Sequence, residues 1–120
     1  MTPAPDAPTA AETALVENLR LELRRGGLVL AVLGQRLAQR VAVVLGAKLA
    51  ERGLPVDEGT LYPLLRRLES QGLLVSEWRE EDKRDKRFYR LSPAGRRVVR
   101  QLDAEWRGLN ASIARILEDD

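Results

Sequence analysis

The chain has no cysteine and no histidine in its 120 residues. Without cysteine, disulfides and thiolate metal sites are excluded. Without histidine, the commonest general base and the commonest metal ligand are missing too. Aromatic side chains make up only 4% of the sequence, against 44% hydrophobic residues. The core is therefore built of Leu, Val and Ala, which favours helices over a sheet sandwich. Nowhere do about 18 apolar residues follow one another, so no transmembrane helix is expected. The start, Met1-Thr2-Pro3-Ala4-Pro5-Asp6-Ala7-Pro8-Thr9, lacks the basic and apolar regions of a signal peptide. Its prolines mark residues 1–10 as a disordered tail, and a cytoplasmic protein is the simplest reading. With no convincing catalytic cluster, neither an enzyme nor a metal or other cofactor is expected. The length fits one domain with an appended helix.

The net charge of +2 hides an uneven distribution. Residues 79–100 carry nine basic and four acidic side chains, and residues 101–120 carry two basic and five acidic ones. A basic block beside an acidic end implies a localised anion-binding surface.

Residues 11–38 read as a first helix, with Leu15, Leu19 and Leu23 recurring at i+4. Gly26 and Gly27 are expected to bend it, and the apolar run Leu28–Leu33 to be buried on most sides. A second helix runs from 40 to 52 on Val41, Val44, Leu45 and Leu49, and Gly53 is placed to end it. The segment Glu58-Gly59-Thr60-Leu61-Tyr62-Pro63-Leu64-Leu65-Arg66-Arg67-Leu68-Glu69 is the most informative in the chain. Leu61, Leu64, Leu65 and Leu68 follow the i, i+3, i+4, i+7 spacing of a buried stripe. Gly59, Tyr62, Pro63 and Arg66 follow the same spacing on the other side. Either Asp57 or Thr60 caps this helix. With Thr60 as cap, Pro63 loses no hydrogen bond; with Asp57 as cap, it leaves one carbonyl unpaired and bends the helix. Gly72 closes it.

Short runs at 73–79 and 86–91 have strand character, around the charged tip Glu80-Glu81-Asp82-Lys83-Arg84-Asp85. They form a β-hairpin that Trp78 is expected to pack onto the helices. Ser92-Pro93 then reads as an N-cap followed by proline at the first helical position. In the final helix, 93–118, Val99, Leu102, Trp106, Leu109, Ile113 and Ile116 step by three and four residues, as in a coiled-coil seam. Some 26 residues of helix span about 39 Å. So small a domain cannot cover that length, so part of the seam should meet a second copy of the chain.

Three helices, a hairpin and a long terminal helix make a mainly α, winged helix-turn-helix fold. The expected division is a tail at 1–10, the winged domain with its N-terminal helix at 11–92, and a dimerisation helix at 93–120. At this point the residues resemble the PadR-like transcriptional regulators. The resemblance rests on Gly59-Thr60-Leu61-Tyr62-Pro63, Leu65-Arg66-Arg67-Leu68-Glu69, Gly72-Leu73-Leu74 and Phe88-Tyr89-Arg90-Leu91-Ser92-Pro93-Ala94-Gly95, and covers residues 24–118. The short terminal helix is similar to the compact subgroup of that family. One segment departs from the pattern. Where the family usually opens its second helix with a Tyr-Gly-Tyr-like segment, this chain has Val41-Ala42-Val43-Val44-Leu45. The hydroxyl that the family usually brings near the DNA backbone is absent, and the apolar replacements would suit a protein contact.

In a helix-turn-helix the second helix of the pair enters the major groove. That assigns base and phosphate contacts to Thr60, Tyr62, Pro63 and Arg66 of the 58–71 helix. Lys83, Arg84, Lys86 and Arg87 would hold phosphates at the hairpin. The bland readings are that Tyr62 packs on the hairpin, Pro63 shapes the helix, and the hairpin charges neutralise one another. Leu15 and Leu19 would join Val99, Leu102, Trp106, Leu109, Ile113 and Ile116 in a homodimer contact. Trp106 is either a core residue of that dimer or half of a pocket for a small aromatic effector, because some members of the family bind planar ligands at the dimer interface. The function read from these residues is that of a dimeric, sequence-specific regulator of transcription, a repressor, bound to a pseudo-palindrome in double-stranded DNA. The main alternative is a winged-helix protein-interaction module that has lost DNA binding; a free-standing small-molecule sensor ranks third.

Overall fold

A computed structural model of the chain describes residues 7–35 and 40–118. In chain order it contains α1 (Ala10–Leu33), β1 (Arg40–Val41), α2 (Ala42–Glu51), α3 (Glu58–Ser70), β2 (Leu74–Glu81), β3 (Arg84–Leu91) and α4 (Pro93–Glu118). The strands form one antiparallel sheet in the order β1-β3-β2. This is a winged helix-turn-helix: α2 and α3 are the pair, and β2–β3 is the wing.

Helix α1 begins with a capping box. The Thr9 hydroxyl accepts from the Glu12 amide at 3.1 Å, and Glu12 Oε1 accepts from the Thr9 amide at 2.8 Å. These hydrogen bonds hold the Glu12 carboxyl below its ordinary value. The expected bend at Gly26-Gly27 does not occur, and α1 runs on to Leu33. The indole of Trp106 on α4 packs against the helix at Gly27, where an added Cβ would stand at an ordinary contact distance of 3.4 Å from Cη2. The last expected residues of this helix, 36–38, lie outside the described residues.

The second helix starts at Ala42, later than expected, because Arg40 and Val41 pair with Tyr89 and Phe88 as an edge strand. It buries Ala42, Leu45 and Leu49, while Val44 is left 38% exposed. Gly53 (φ +87°) and Gly72 (φ +78°) end α2 and α3 in the same way. In each the glycine amide and the next amide turn back onto the helix: Gly53 to Ala50 and Leu54 to Leu49, Gly72 to Glu69 and Leu73 to Leu68. This is the Schellman arrangement, which needs the left-handed backbone that glycine adopts without strain.

Asp57, not Thr60, stands at the start of α3, and its side chain makes no capping hydrogen bond. Pro63 therefore lies within the helix and cannot return a bond to the Gly59 carbonyl. The leucine stripe is as expected: Leu61, Leu64, Leu65 and Leu68 are all buried. Together with Val32, Leu33, Leu45, Leu49, Leu74 and Tyr89 they make the core. Each fully buried leucine contributes about 1.5–3 kcal/mol relative to an exposed one.

The wing differs from expectation at two points. Its strands run on through the charged residues, Glu81 pairing with Arg84, so the tip is only Asp82-Lys83. Both have positive φ (53° and 63°), as a two-residue type I′ turn demands. Trp78 does not pack the hairpin onto the helices; it is 65% exposed. Leu74 and Tyr89 close the sheet onto the helices instead.

Helix α4 spans 26 residues, from the proline of Ser92-Pro93. The Ser92 hydroxyl accepts from the Gly95 amide at 2.9 Å and lies 2.6 Å from the Gly72 carbonyl, which ties the start of α4 to the end of α3. The apolar seam divides along its length. Val99 and Leu102 pack against the core, and Trp106 rests on Gly27. Leu109, Ile113 and Ile116 are 52%, 41% and 70% exposed. On α1, Leu15, Val16, Leu19, Leu21 and Leu23 are exposed as well. The molecule is correspondingly long: its radius of gyration is 18.2 Å, against about 14 Å for a compact domain of this size.

Candidate nucleic-acid interface

With its leucines turned inward, α3 presents Gly59, Thr60, Tyr62, Pro63, Arg66 and Arg67 to solvent. The structure divides this face into two flanks. Thr60, Pro63 and Arg67 line a groove of about 460 Å³ shared with α1 and the 55–57 turn. Arg24 of α1 holds that turn in place by donating to the Pro55 carbonyl at 2.8 Å. Tyr62 and Arg66 line a second groove, of about 560 Å³, between α3, the start of α2 and the wing. The expected contact residues of α3 therefore share one helix but not one groove.

The wing is fastened to α3 by three side chains. Arg87 donates to Glu69 Oε1 at 2.6 Å and to the Ser76 hydroxyl at 2.8 Å, and Ser76 in turn donates to Glu69. The register makes this possible, because Trp78 faces Arg87 and Ser76 faces Tyr89 across the hairpin. The Arg87 guanidinium also lies 5.6 Å from the Trp78 ring and 5.7 Å from the Tyr89 ring, both within cation–π range. Burial raises the phenol of Tyr89 above its ordinary value, with Arg87 acting against the shift. The group stays protonated at neutral pH and remains a hydrogen-bond donor.

The four wing cations expected to hold phosphates divide in the same way. Lys86 is held by Glu81 at 3.3 Å and Arg87 by Glu69. Lys83 and Arg84 make no ion pair among the described residues, and neither does Arg66. A cation without an internal partner keeps its full charge for a phosphate. Lys83, Arg84 and Arg66 therefore have the best electrostatic standing of the expected contacts, while Arg87 sets the angle of the wing.

Three features of the face were not anticipated. Val43 is 66% exposed and, with Val44 and Trp78, forms an apolar border to the second groove. Arg67 extends the flank of Thr60 and Pro63. Tyr89, read only as a strand residue, lines the second groove from the core side. The exposed valines occupy the segment in which the family tyrosines were missing. That substitution was the one sequence signal for an apolar border.

Among the described residues no His/Cys/Asp/Glu group suits a metal ion, and no helix is long and apolar enough to cross a membrane. Comparison with known proteins agrees with the geometry. The model of the transcriptional regulator PadR-like family matches residues 29–101. A PadR family transcriptional regulator from Eggerthella lenta is 41% identical, with a TM-score of 0.86, over 93% of this chain and 100% of that one. A PadR-like transcription factor from Bacteroides fragilis is 34% identical, with a TM-score of 0.70, over 82% of this chain and 98% of that one. A transcriptional regulator of Mycobacterium tuberculosis, Rv3488, is 53% identical over 55 residues, which are 46% of this chain and 51% of the relative. That match spans about half the length of the curated relative. All three are regulators rather than enzymes.

Proposed function

The chain belongs to the PadR-like family of transcriptional regulators, and from that premise we propose that it is a sequence-specific DNA-binding repressor. It acts in the cytoplasm as a homodimer on a pseudo-palindromic operator in double-stranded DNA. The observation that carries this reading is the division of α3: every leucine of the stripe is buried, while Tyr62 and Arg66, which has no ion pair among the described residues, stand outward beside the wing. Arg66 supplies a bidentate contact to guanine. Thr60 and Tyr62 donate to phosphate or base atoms, and Pro63 offers apolar surface to a thymine methyl. Lys83 and Arg84 hold phosphates and set the register, while Lys86 and Arg87, paired with Glu81 and Glu69, brace the wing behind them.

The apolar residues left open on α1 and on the outer half of α4 pair two subunits about a two-fold axis. This sets the two α3 helices for major grooves about 34 Å apart. Occupation of a promoter then blocks polymerase. A small aromatic effector at Trp106, close to the paired helices, relieves repression by favouring a different angle between the subunits.

Arg66→Ala is expected to weaken specific binding by about 1–3 kcal/mol and to relax base preference at one position of each half-site. Competition with single-base operator variants measures this; unchanged affinity and preference would remove Arg66 from the reading set. Changing Lys83 and Arg84 together to Gln should weaken binding to all sequences alike. In each subunit, the slope of log K against log salt should flatten by about 0.9 for every phosphate that is no longer neutralised. An unchanged slope would mean that the wing tip does not touch phosphate.

The exposed Val43, Val44 and Trp78 favour one other reading, a winged-helix module that binds a protein and not DNA. Absence of any salt-dependent DNA binding would select it.

A further inference from the structure

One flank of α3 has no role in the contacts assigned so far. The major groove of DNA is about 12 Å wide, and a helix with its side chains is about 10–12 Å across. A helix that fills the groove therefore has one DNA strand against each flank. On the wing flank, Lys83 and Arg84 are the wing cations expected to hold phosphates that make no ion pair among the described residues. The opposite flank is the groove between α1, the 55–57 turn and α3. Three arginines line it, Arg24 and Arg25 from α1 and Arg67 from α3, against one carboxylate, Asp57. None of the three makes an ion pair among the described residues. Arg25 and Arg67 are exposed, and Arg24 is half-buried against the turn whose Pro55 carbonyl it holds. Like charges gathered in this way repel one another, and an anion turns that cost into a gain. The floor offers little apolar surface of its own: Leu28, Val29 and Val56 pack on the core, and Leu64 is 8% exposed. The charged rim is what the groove presents, which favours a polyanion over a segment of protein.

We propose that Arg24, Arg25 and Arg67 form a second phosphate-binding ridge, which holds the DNA strand on the α1 side of α3. Each subunit then grips its half-site from both flanks, with Lys83 and Arg84 on one and the arginine ridge on the other. The ridge also ties the strand to the dimer contact. Arg24 directly follows Leu23, and the exposed Leu15 and Leu19 lie on the same helix. A phosphate held by Arg24 and Arg25 therefore sits on the helix that the proposed interface fixes, so the spacing of half-sites is set through α1 as well as through α3. The ridge rests on the DNA-binding reading.

Arg25→Gln with Arg67→Gln tests it in the full chain, with Arg24 kept because it holds the turn. Both side chains are exposed and without ion pairs, so the fold should persist. On DNA from upstream of the protein's own gene, the slope of log K against log salt should flatten by about 0.9 for each phosphate released, about 3.6 for two arginines in two subunits. Binding to a shuffled duplex should weaken in the same proportion, because phosphate contacts carry no sequence information. Neutral methylphosphonate linkages, placed one at a time along both strands, locate the contact. Some linkages that weaken binding of the wild type should lose their effect in the Arg25/Arg67 variant, and different ones in a Lys83→Gln, Arg84→Gln variant. A steep slope for the wild type and an equal slope for the Arg25/Arg67 variant would overturn the ridge alone. So would two variants that lose their sensitivity at the same linkages, or a loss confined to the native duplex, which would make Arg67 a base reader. A wild-type chain that binds neither duplex would overturn the repressor reading and the ridge with it.

Discussion

Leu109→Asp should turn the protein into a monomer and weaken binding to a full operator by about 100-fold or more. Leu109 is 52% exposed, with Ile113 and Ile116 beyond it on the same stripe. In the free chain the substitution places a carboxylate in water, so the fold should persist. In a dimer the same carboxylate would be buried without a partner, which costs several kcal/mol in each subunit. Two half-sites held by one dimer gain effective concentration, and a monomer forfeits that gain. Sedimentation velocity and operator titration read the two effects on one sample. Ala111→Asp, about 200° around the helix, is the matched control and should stay dimeric. A Leu109→Asp protein that remains a dimer would remove the outer half of α4 from the interface.

Gly95→Ala should destabilise the junction between α3 and α4. A Cβ at this position would lie 2.2 Å from the Leu73 carbonyl oxygen and 2.7 Å from Cδ1 of Leu91. The leucine side chain has room to turn, but the carbonyl is fixed: Leu73 O accepts from the Ser92 amide at 3.0 Å. The methyl group therefore has to push α4 away from the core, taking Val99 and Leu102 with it. Overpacking against backbone falls at the upper end of about 1–3 kcal/mol. For a domain of this length that lowers the melting temperature by about 10 °C at fixed protein concentration. Gly108→Ala, where a Cβ meets nothing within 4 Å, should instead be neutral or slightly stabilising. Equal melting temperatures for the two variants would mean that the α3–α4 junction yields freely to the extra methyl group.

The parts of the fold that were legible in the sequence are those with a period. The leucine stripe of α3 and the three-four steps of α4 each state which side of a helix is apolar, and both helices have that side. Gly53 and Gly72 were legible as terminators because glycine adopts positive φ at little cost. Other features depend on contacts distant in sequence. Gly27 looked like a bend because nothing local says that an indole 79 residues later packs against that point of α1. The wing turn was hidden because Asp82 and Lys83 both adopt positive φ without glycine, held there by a long hairpin register. Trp78 looked like a packing residue on the strength of its size alone. Its alternation with Leu74 and Ser76 sets it on the helix-facing side, but beyond the reach of the helices. The division of the α3 face was equally hidden. Helical spacing places Tyr62, Pro63 and Arg66 together, and only the wing and α1 decide which groove each side chain borders.

The measurement that bears most directly on DNA recognition is fluorescence anisotropy with DNA from upstream of the protein's own gene, against a shuffled duplex, across salt. A dimer making six to ten phosphate contacts should lose about 10³–10⁵ in affinity between 50 and 200 mM salt. It should also hold a clear preference for the native duplex at every salt concentration. Equal weak binding to both duplexes, or none at all, would contradict a sequence-specific regulator and point to a protein partner at Val43, Val44 and Trp78.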